Sequence, residues 1–125
     1  MTKTKYKFEF PMKASPKMLY SYISSASGLG DWFADKVEAV GNVYTFTWDG
    51  EKSRAKLSHK REPHLVRFNW LDEPDKTYFE IEIILDEITS DIELVVTDFS
   101  TEEEKGELYQ LWDSQIHQLK MLIGS

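Results

Sequence analysis

The sequence contains no cysteine, which excludes disulfide bonds, thiolate metal sites and cysteine nucleophiles. It also lacks any apolar run close to the roughly 20 residues that a membrane-spanning helix needs. The N-terminal stretch MTKTKYKFEF alternates charged and aromatic side chains and has no apolar centre of the kind that signal peptides carry. We therefore expect a cytoplasmic protein.

Positive charge is scarce as well, since 15 Lys and Arg face 22 Asp and Glu and the net charge is −7. Binding to phosphate backbones needs clustered Lys and Arg. The charge therefore disfavours nucleic acid as a partner, and it disfavours an anionic membrane surface for the same reason.

Sequence patterns for catalysis and metal binding are missing too. There is no Gly-x-Ser-x-Gly elbow and no glycine-rich phosphate loop. His59, His64 and His117 lack the i, i+4 spacing of metal-binding helices. The acidic segment 72–75 lacks the glycine and the terminal glutamate of a calcium loop. The sequence predicts no metal, no cofactor and no identifiable catalytic residue.

What the chain does contain is typical of a globular domain, with 41% hydrophobic and 30% charged residues in 125. This length is sufficient to bury a core without disulfides or metals. No internal repeat or linker is visible, so we expect a single domain over residues 1–125.

Period-two alternation predicts about seven strands. The first covers residues 6–12. The others are predicted at 37–40, 43–48, 52–60, 64–71, 78–85 and 90–99. Short connections such as Gly41-Asn42 and Asp49-Gly50 imply antiparallel pairing of sequential strands, and Asp-Gly suits a type I′ turn.

Two short helices are predicted after the first strand. The Ser15-Pro16 pair is a typical helix start, and apolar residues at helical spacing predict a helix over 16–25. We expect the glycine-containing segment 27–30 to end this helix. Asp31 then caps a second short turn that carries the Trp32-Phe33 pair.

The strongest pattern is C-terminal. Ser100 and Glu103 predict a capping box, and an apolar stripe predicts a helix of roughly 22 residues. The stripe consists of Leu108, Leu111, Trp112, Ile116, Leu119, Leu122 and Ile123. Burial of each such side chain contributes about 1.5–3 kcal/mol, so the helix needs a large apolar surface, and the inner face of the sheet provides one. The predicted fold is α+β, with a curved antiparallel sheet wrapped around this helix.

Three segments resemble a known family. They are Leu19-Tyr20-Ser21-Tyr22-Ile23 followed by Asp31-Trp32-Phe33; Tyr44 to Gly50 with Leu65 to Trp70; and Thr97-Asp98-Phe99 followed by Trp112 and Leu119-Lys120. With the order of elements, they resemble the START-like (SRPBCC) superfamily, and within it the homologues of activators of heat-shock-protein-90 ATPase. The resemblance implies the helix-grip fold and a cavity between sheet and helix, open near the short helices.

The aromatic residues on the predicted inner faces are candidates for lining that cavity. The predicted pocket residues are Trp32, Phe33, Tyr44, Phe46, Trp48, Leu57, His59, Phe68, Trp70, Phe79, Ile81, Asp98, Trp112 and Ile116. His59 is in register with Leu57, which predicts an inward side chain, and Asp98 is expected near the mouth. The alternative is that these rings fill the core completely.

Three functions follow from these expectations. The first is a non-enzymatic domain, monomeric or homodimeric, that binds a small hydrophobic or amphipathic ligand. The second is a chaperone-associated or regulatory domain that binds a protein partner, for which the basic strand face of Lys52, Arg54, Lys56 and Lys60 is a candidate. The third is a small cofactor-free cyclase- or hydrolase-type enzyme, which requires His59 or Asp98 to be buried in the cavity.

Overall fold

A computed structural model describes residues 2–124. Its elements are β1 (Thr4–Met12), α1 (Pro16–Ser24), α2 (Ala26–Trp32), β2 (Lys36–Val40), β3 (Val43–Trp48), β4 (Glu51–Arg61), β5 (Leu65–Trp70), β6 (Tyr78–Leu85), β7 (Ile92–Ser100) and α3 (Lys105–Ile123). The strand predictions agree with these bounds to within a few residues. None of the helices in residues 2–124 is long and apolar enough to cross a membrane.

All seven strands form one antiparallel sheet in the order β1-β7-β6-β5-β4-β3-β2. Each strand from β2 to β6 pairs with the strand that follows it in the chain, as the short connections require. The last strand, β7, also pairs with β1. Asp49 and Gly50 both have positive φ, 49° and 80°, which confirms the predicted Asp-Gly turn between β3 and β4. The predicted α+β helix-grip architecture is confirmed.

The core lies between the inner face of the sheet and the three helices. From α3 it receives Trp112, Ile116 and Leu119, which are almost completely buried. On the sheet, Phe46 and Phe68 are inaccessible to solvent. The predicted packing of the C-terminal helix against the sheet is confirmed, although the buried stripe is narrower than expected because Leu111 and Leu122 of the predicted stripe are exposed.

The predicted break over 27–30 is wrong, since α2 runs through it. The Ser25 hydroxyl accepts a hydrogen bond from the Gly28 N–H at 3.0 Å and caps the helix, so Asp31 is not the cap. A Cβ on Gly28 would lie 2.3 Å from the backbone oxygen of Ser21. Glycine is present here because α1 and α2 approach each other closely, and it does not interrupt the helix.

The predicted capping box of α3 is also wrong. Ser100 is the last residue of β7, and its hydroxyl donates to the carbonyl of Thr101. The helix begins at Lys105, with Glu104 in the cap position and no side-chain hydrogen bond to the helix. Strand β7 extends to Ser100, further than predicted, and residues 102–104 form a turn before the helix.

Candidate functional site

A cavity of about 370 Å³ lies between the sheet and α3. We call it the aromatic pocket. It is lined by Phe33, Trp48, Trp70, Phe79, Asp98, Leu111, Trp112 and Gln115. Leu111 is 56% exposed and forms part of the rim.

The antiparallel sheet explains why these residues meet. Strands β3, β5 and β7 run in the same direction, so Trp48 and Trp70, the last residues of β3 and β5, lie at the same end of the sheet. Asp98 lies near the end of β7, and Phe79 lies near the start of β6, which runs in the opposite direction. These three strand ends and one strand start form the sheet side of the pocket.

Five aromatic rings pack against one another and form a continuous aromatic wall of the pocket. Phe33 lies 5.3 Å from Trp48 and 5.5 Å from Trp112 between ring centroids. Trp112 lies 5.9 Å from Phe79, which lies 5.3 Å from Trp70. The centroids of Phe33 and Phe79 are 5.0 Å apart, and those of Trp48 and Trp70 are 6.4 Å apart. These spacings are typical of favourable aromatic pairs.

The carbonyl of Phe33 connects three parts of the site. Phe33 follows α2, and its oxygen accepts hydrogen bonds from Nε1 of Trp48 and Nε2 of Gln115, both at 2.9 Å. One backbone group thus joins the end of α2 to β3 and to α3. Two fixed donors of this kind limit the movement of the indole and amide groups in the pocket wall.

Asp98 is the carboxylate of the pocket, partly exposed to the cavity and otherwise buried. Its Oδ2 accepts a hydrogen bond from Nε1 of Trp112 at 2.8 Å, and its Oδ1 accepts one from the Phe99 N–H at 2.7 Å. Burial raises the pKa of Asp98, while these two hydrogen bonds and the charge of Lys3 act in the opposite direction.

Six of the predicted pocket residues lie together around this cavity: Phe33, Trp48, Trp70, Phe79, Asp98 and Trp112. Seven others belong to the packed core and do not line the aromatic pocket: Trp32, Tyr44, Phe46, Leu57, Phe68, Ile81 and Ile116. The close ring contacts of Phe68 with Tyr44 and Phe79, both at 5.0 Å between centroids, show why no space remains there. These residues lie outside the aromatic pocket, although Trp32 lines a separate depression with Asp31 and Gln118, and a role for them in ligand binding stays a prediction.

His59 is exposed, and the prediction that it points inward is wrong. The pairing of β4 with β5 shifts between Leu57 and His59, so Leu57 pairs with Phe68 while His59 pairs with Arg67. Such a bulge breaks the two-residue alternation on which the prediction relied. The Nδ1 atom of His59 lies 3.0 Å from the Ser58 hydroxyl, outside the pocket.

Leu111 and Gln115 line the pocket but were not predicted to do so. Both are neighbours of Trp112 on α3. Leu111 precedes Trp112 by one position, and Gln115 follows it by three. Residues three apart share a helix face, so the position of Trp112 was a signal that identified Gln115. The polarity of Gln115 concealed its role.

The basic strand face is exposed, as predicted. Nη2 of Arg54 forms an ion pair with Oδ1 of Asp72 at 2.9 Å. The other members, Lys52, Lys56 and Lys60, are also exposed. Lys52, Arg54 and Lys56 lie on the opposite side of the sheet from the aromatic pocket. The register shift after Leu57 pairs Lys60 with Val66, a buried residue of the inner face, so the prediction that Lys60 shares this surface is wrong.

Comparison with known proteins identifies the superfamily to which the chain belongs. A model of the START-like superfamily domain matches residues 1–125. The solution NMR structure of BfR322 from Bacteroides fragilis is 38% identical, covers 98% of this chain and 93% of its own, and has a TM-score of 0.71. No curated protein matches the sequence.

Two more distant structures share the fold alone. The Aha1 dimer from Colwellia psychrerythraea is 17% identical, with a TM-score of 0.79 and coverage of 94% of this chain and 93% of its own. The protein MLL2253 from Mesorhizobium loti is 14% identical, with a TM-score of 0.79 and coverage of 97% of both chains.

Proposed function

Because the chain belongs to the START-like superfamily, we propose that it is a ligand-binding domain whose aromatic pocket holds a small hydrophobic or amphipathic molecule. The observation that carries this proposal is that five aromatic rings and Leu111 line a cavity of about 370 Å³. Protein interiors are normally close-packed, and ligand sites have volumes of roughly 300–1,000 Å³. The volume is therefore suited to a small ligand.

The lining supports a largely apolar ligand with one polar end. Five aromatic rings and Leu111 provide the apolar surface, while Asp98 and Gln115 are the polar groups. Removal of apolar surface from water contributes roughly 25 cal/mol per Å², so the rings supply the affinity. Asp98 and Gln115 are held by hydrogen bonds and can orient the polar end.

A protein-interaction role is the second candidate, supported by the exposed basic strand face. Charge reversal of Lys52 and Lys56 on β4 tests it, because both side chains are exposed on the outer face of the sheet and the change leaves the aromatic pocket intact. Loss of chaperone capture from a lysate in the Lys52→Glu, Lys56→Glu variant would favour this role over ligand binding.

The enzyme hypothesis required His59 or Asp98 within the cavity, and Asp98 alone meets this condition. It is the one titratable group among the described residues that line the aromatic pocket. Acid–base catalysis would then rely on a single carboxyl group without a second group to return the proton. Ligand binding accounts for the pocket without that additional demand.

Native mass spectrometry of the freshly purified full chain tests the proposal. We expect an added small-molecule mass that is lost on collisional activation. Leu111→Trp places a large side chain at the rim and should abolish the added mass. Leu122→Trp, at another exposed position of α3, is the matched control and should retain it. The bare chain mass alone, both as isolated and after incubation with a small-molecule extract of the expressing cells, would overturn the proposal.

A further inference from the structure

The polar groups of the aromatic pocket are acidic or neutral. Among the described residues that line it, Asp98 carries the charge and none is Lys, Arg or His. Both carboxylate oxygens of Asp98 accept N–H donors, and these bonds fix the group in the pocket wall. A ligand that reaches this wall meets an oriented carboxyl group without a lining base to neutralise it.

A second depression of about 390 Å³ adjoins the pocket and shares Phe33, Trp48 and Gln115 with it. Its lining adds two exposed carboxylates, Asp31 and Asp35. Oδ2 of Asp35 accepts a hydrogen bond from the Asp49 N–H at 2.8 Å, so its position is fixed. The approach to the aromatic pocket from this side is therefore acidic as well.

Lys3 is the basic group whose charge reaches Asp98. Its Nζ forms an ion pair with Oδ2 of Asp75 at 3.2 Å, and it lines a different depression, with Thr2 and Phe99, and not the aromatic pocket. Lys3 therefore offsets the charge of Asp98 from outside and leaves the cavity side of the carboxylate open to a ligand.

The rings provide the second feature. The face of an aromatic ring attracts cations, most strongly in Trp, and sets of such rings around a cavity bind quaternary ammonium groups. In this pocket Trp48, Trp70 and Trp112 form one continuous wall with Phe33 and Phe79. This aromatic wall and the carboxylate of Asp98 line the same cavity.

We propose that the aromatic pocket selects an amphipathic organic cation. Asp98 is the counter-charge of its ammonium group, and the indole rings of Trp48, Trp70 and Trp112 are the cation–π partners. An organic anion in the same cavity would face the like charge of Asp98 in a site of low dielectric constant, which is unfavourable. This inference rests on the proposed ligand-binding function and specifies the class of ligand.

Three probes with the same chain separate the chemistries: octyltrimethylammonium, octanoate and 1-octanol. Each is titrated into the full chain at pH 7.5, below its aggregation concentration, with tryptophan fluorescence and calorimetry as readouts. We expect the ammonium probe to bind at least roughly tenfold more tightly than octanoate, a difference of the size that one favourable charge contact produces.

The variants assign this preference to its source. Asp98→Asn should abolish the preference for ammonium over octanoate, while Asp113→Asn, which removes an exposed carboxylate on α3, should leave that preference unchanged. Trp70 makes no side-chain hydrogen bond in the described contacts, so its ring can be varied alone. Trp70→Leu should reduce the preference, and Trp70→Phe, which keeps an aromatic face, should retain most of it.

The outcomes distinguish this inference from the function on which it rests. Equal or tighter binding of octanoate or 1-octanol would overturn cation selection and leave the ligand-binding proposal intact. A preference for ammonium that survives both Asp98→Asn and Trp70→Leu would overturn the assignment to this pocket. If none of the probes binds, both proposals fail.

Discussion

The indole Nε1 of Trp112 donates a hydrogen bond to Oδ2 of Asp98 at 2.8 Å. This bond joins the middle of α3 to the end of β7, and both residues line the aromatic pocket. The same contact therefore fixes the long helix on the sheet and orients the carboxyl group in the cavity. The packing of α3 on the sheet and the proposed ligand recognition therefore both depend on Asp98 and Trp112.

The raised pKa of Asp98 predicts a pH-dependent term in stability. Burial lifts this pKa above its usual 3.8, so between the two values the folded state holds a proton that the unfolded state has released. Stability falls with rising pH wherever the folded state binds more protons. The unfolding free energy of the wild type minus that of Asp98→Asn should therefore decrease as the pH rises from about 3.8 to the raised pKa. Above that pKa the difference should stay constant.

Urea denaturation of both proteins across this pH range measures the difference. Asp113→Asn removes an exposed carboxylate one residue from Trp112 and should keep the pH-dependent component of the wild type. Parallel pH profiles for wild type and Asp98→Asn would contradict the assignment of that component to Asp98.

Replacement of Trp112 by Phe tests the bond itself. The variant keeps a ring in the pocket wall but leaves Oδ2 of Asp98 without its indole donor. The charged carboxylate loses stabilisation, so the pKa of Asp98 should rise further. Loss of a partner for a buried polar group also costs about 1–3 kcal/mol of stability. A carbon-13 NMR titration of the Asp98 carboxyl group reports the pKa directly.

The matched control is Trp32→Phe. The Nε1 atom of Trp32 donates to the backbone carbonyl of Tyr22 at 2.9 Å, without contact with Asp98. This variant should also lose stability, but the pKa of Asp98 should stay at its wild-type value. Equal Asp98 pKa values in the Trp112→Phe and Trp32→Phe variants would show that the Trp112 bond does not stabilise the carboxylate.

Two glycines of α2 should respond oppositely to alanine. A Cβ on Gly28 would lie 2.3 Å from the Ser21 oxygen and 2.7 Å from Cα of Tyr22, both backbone atoms, so Gly28→Ala should destabilise the fold by about 1–3 kcal/mol or more. A Cβ on Gly30 has its nearest neighbour at 4.0 Å. Gly30→Ala should stabilise the helix by up to about 1 kcal/mol.

Urea denaturation at neutral pH compares the two variants directly. The pair controls for helix propensity, since both changes add one methyl group to the same short helix. Similar stabilities for the two variants would show that α1 and α2 do not depend on close approach at Gly28.

Regular patterns made much of the fold predictable. Alternation in the strands and the spacing of Trp112, Ile116 and Leu119 report burial on one face, and burial determines which faces meet. The errors lie where a local irregularity changes the pattern. The bulge beside His59 reverses an expected side-chain direction, and Gly28 looks like a helix breaker until the neighbouring helix is known.

The site was less predictable than the fold for a physical reason. Sequence alternation identifies residues that face inward, but it does not distinguish those that fill the core from those that surround a cavity. Phe46 and Trp48 share a strand face, yet only Trp48 reaches the aromatic pocket. The difference depends on how α2 and α3 cover the end of the sheet, which involves contacts such as Gln115 with Phe33, 82 positions apart.

The most direct test of the account is whether the aromatic pocket admits an apolar molecule. The chain has four tryptophans, and a proton–nitrogen NMR spectrum resolves their indole N–H signals individually. On titration with 1-octanol, the signals of Trp48, Trp70 and Trp112 should shift in a saturable manner. The signal of Trp32, whose Nε1 is hydrogen-bonded to Tyr22 and whose ring does not line the aromatic pocket, should shift much less. Unchanged signals throughout, or a shift of Trp32 as large as that of Trp112, would contradict the proposed pocket.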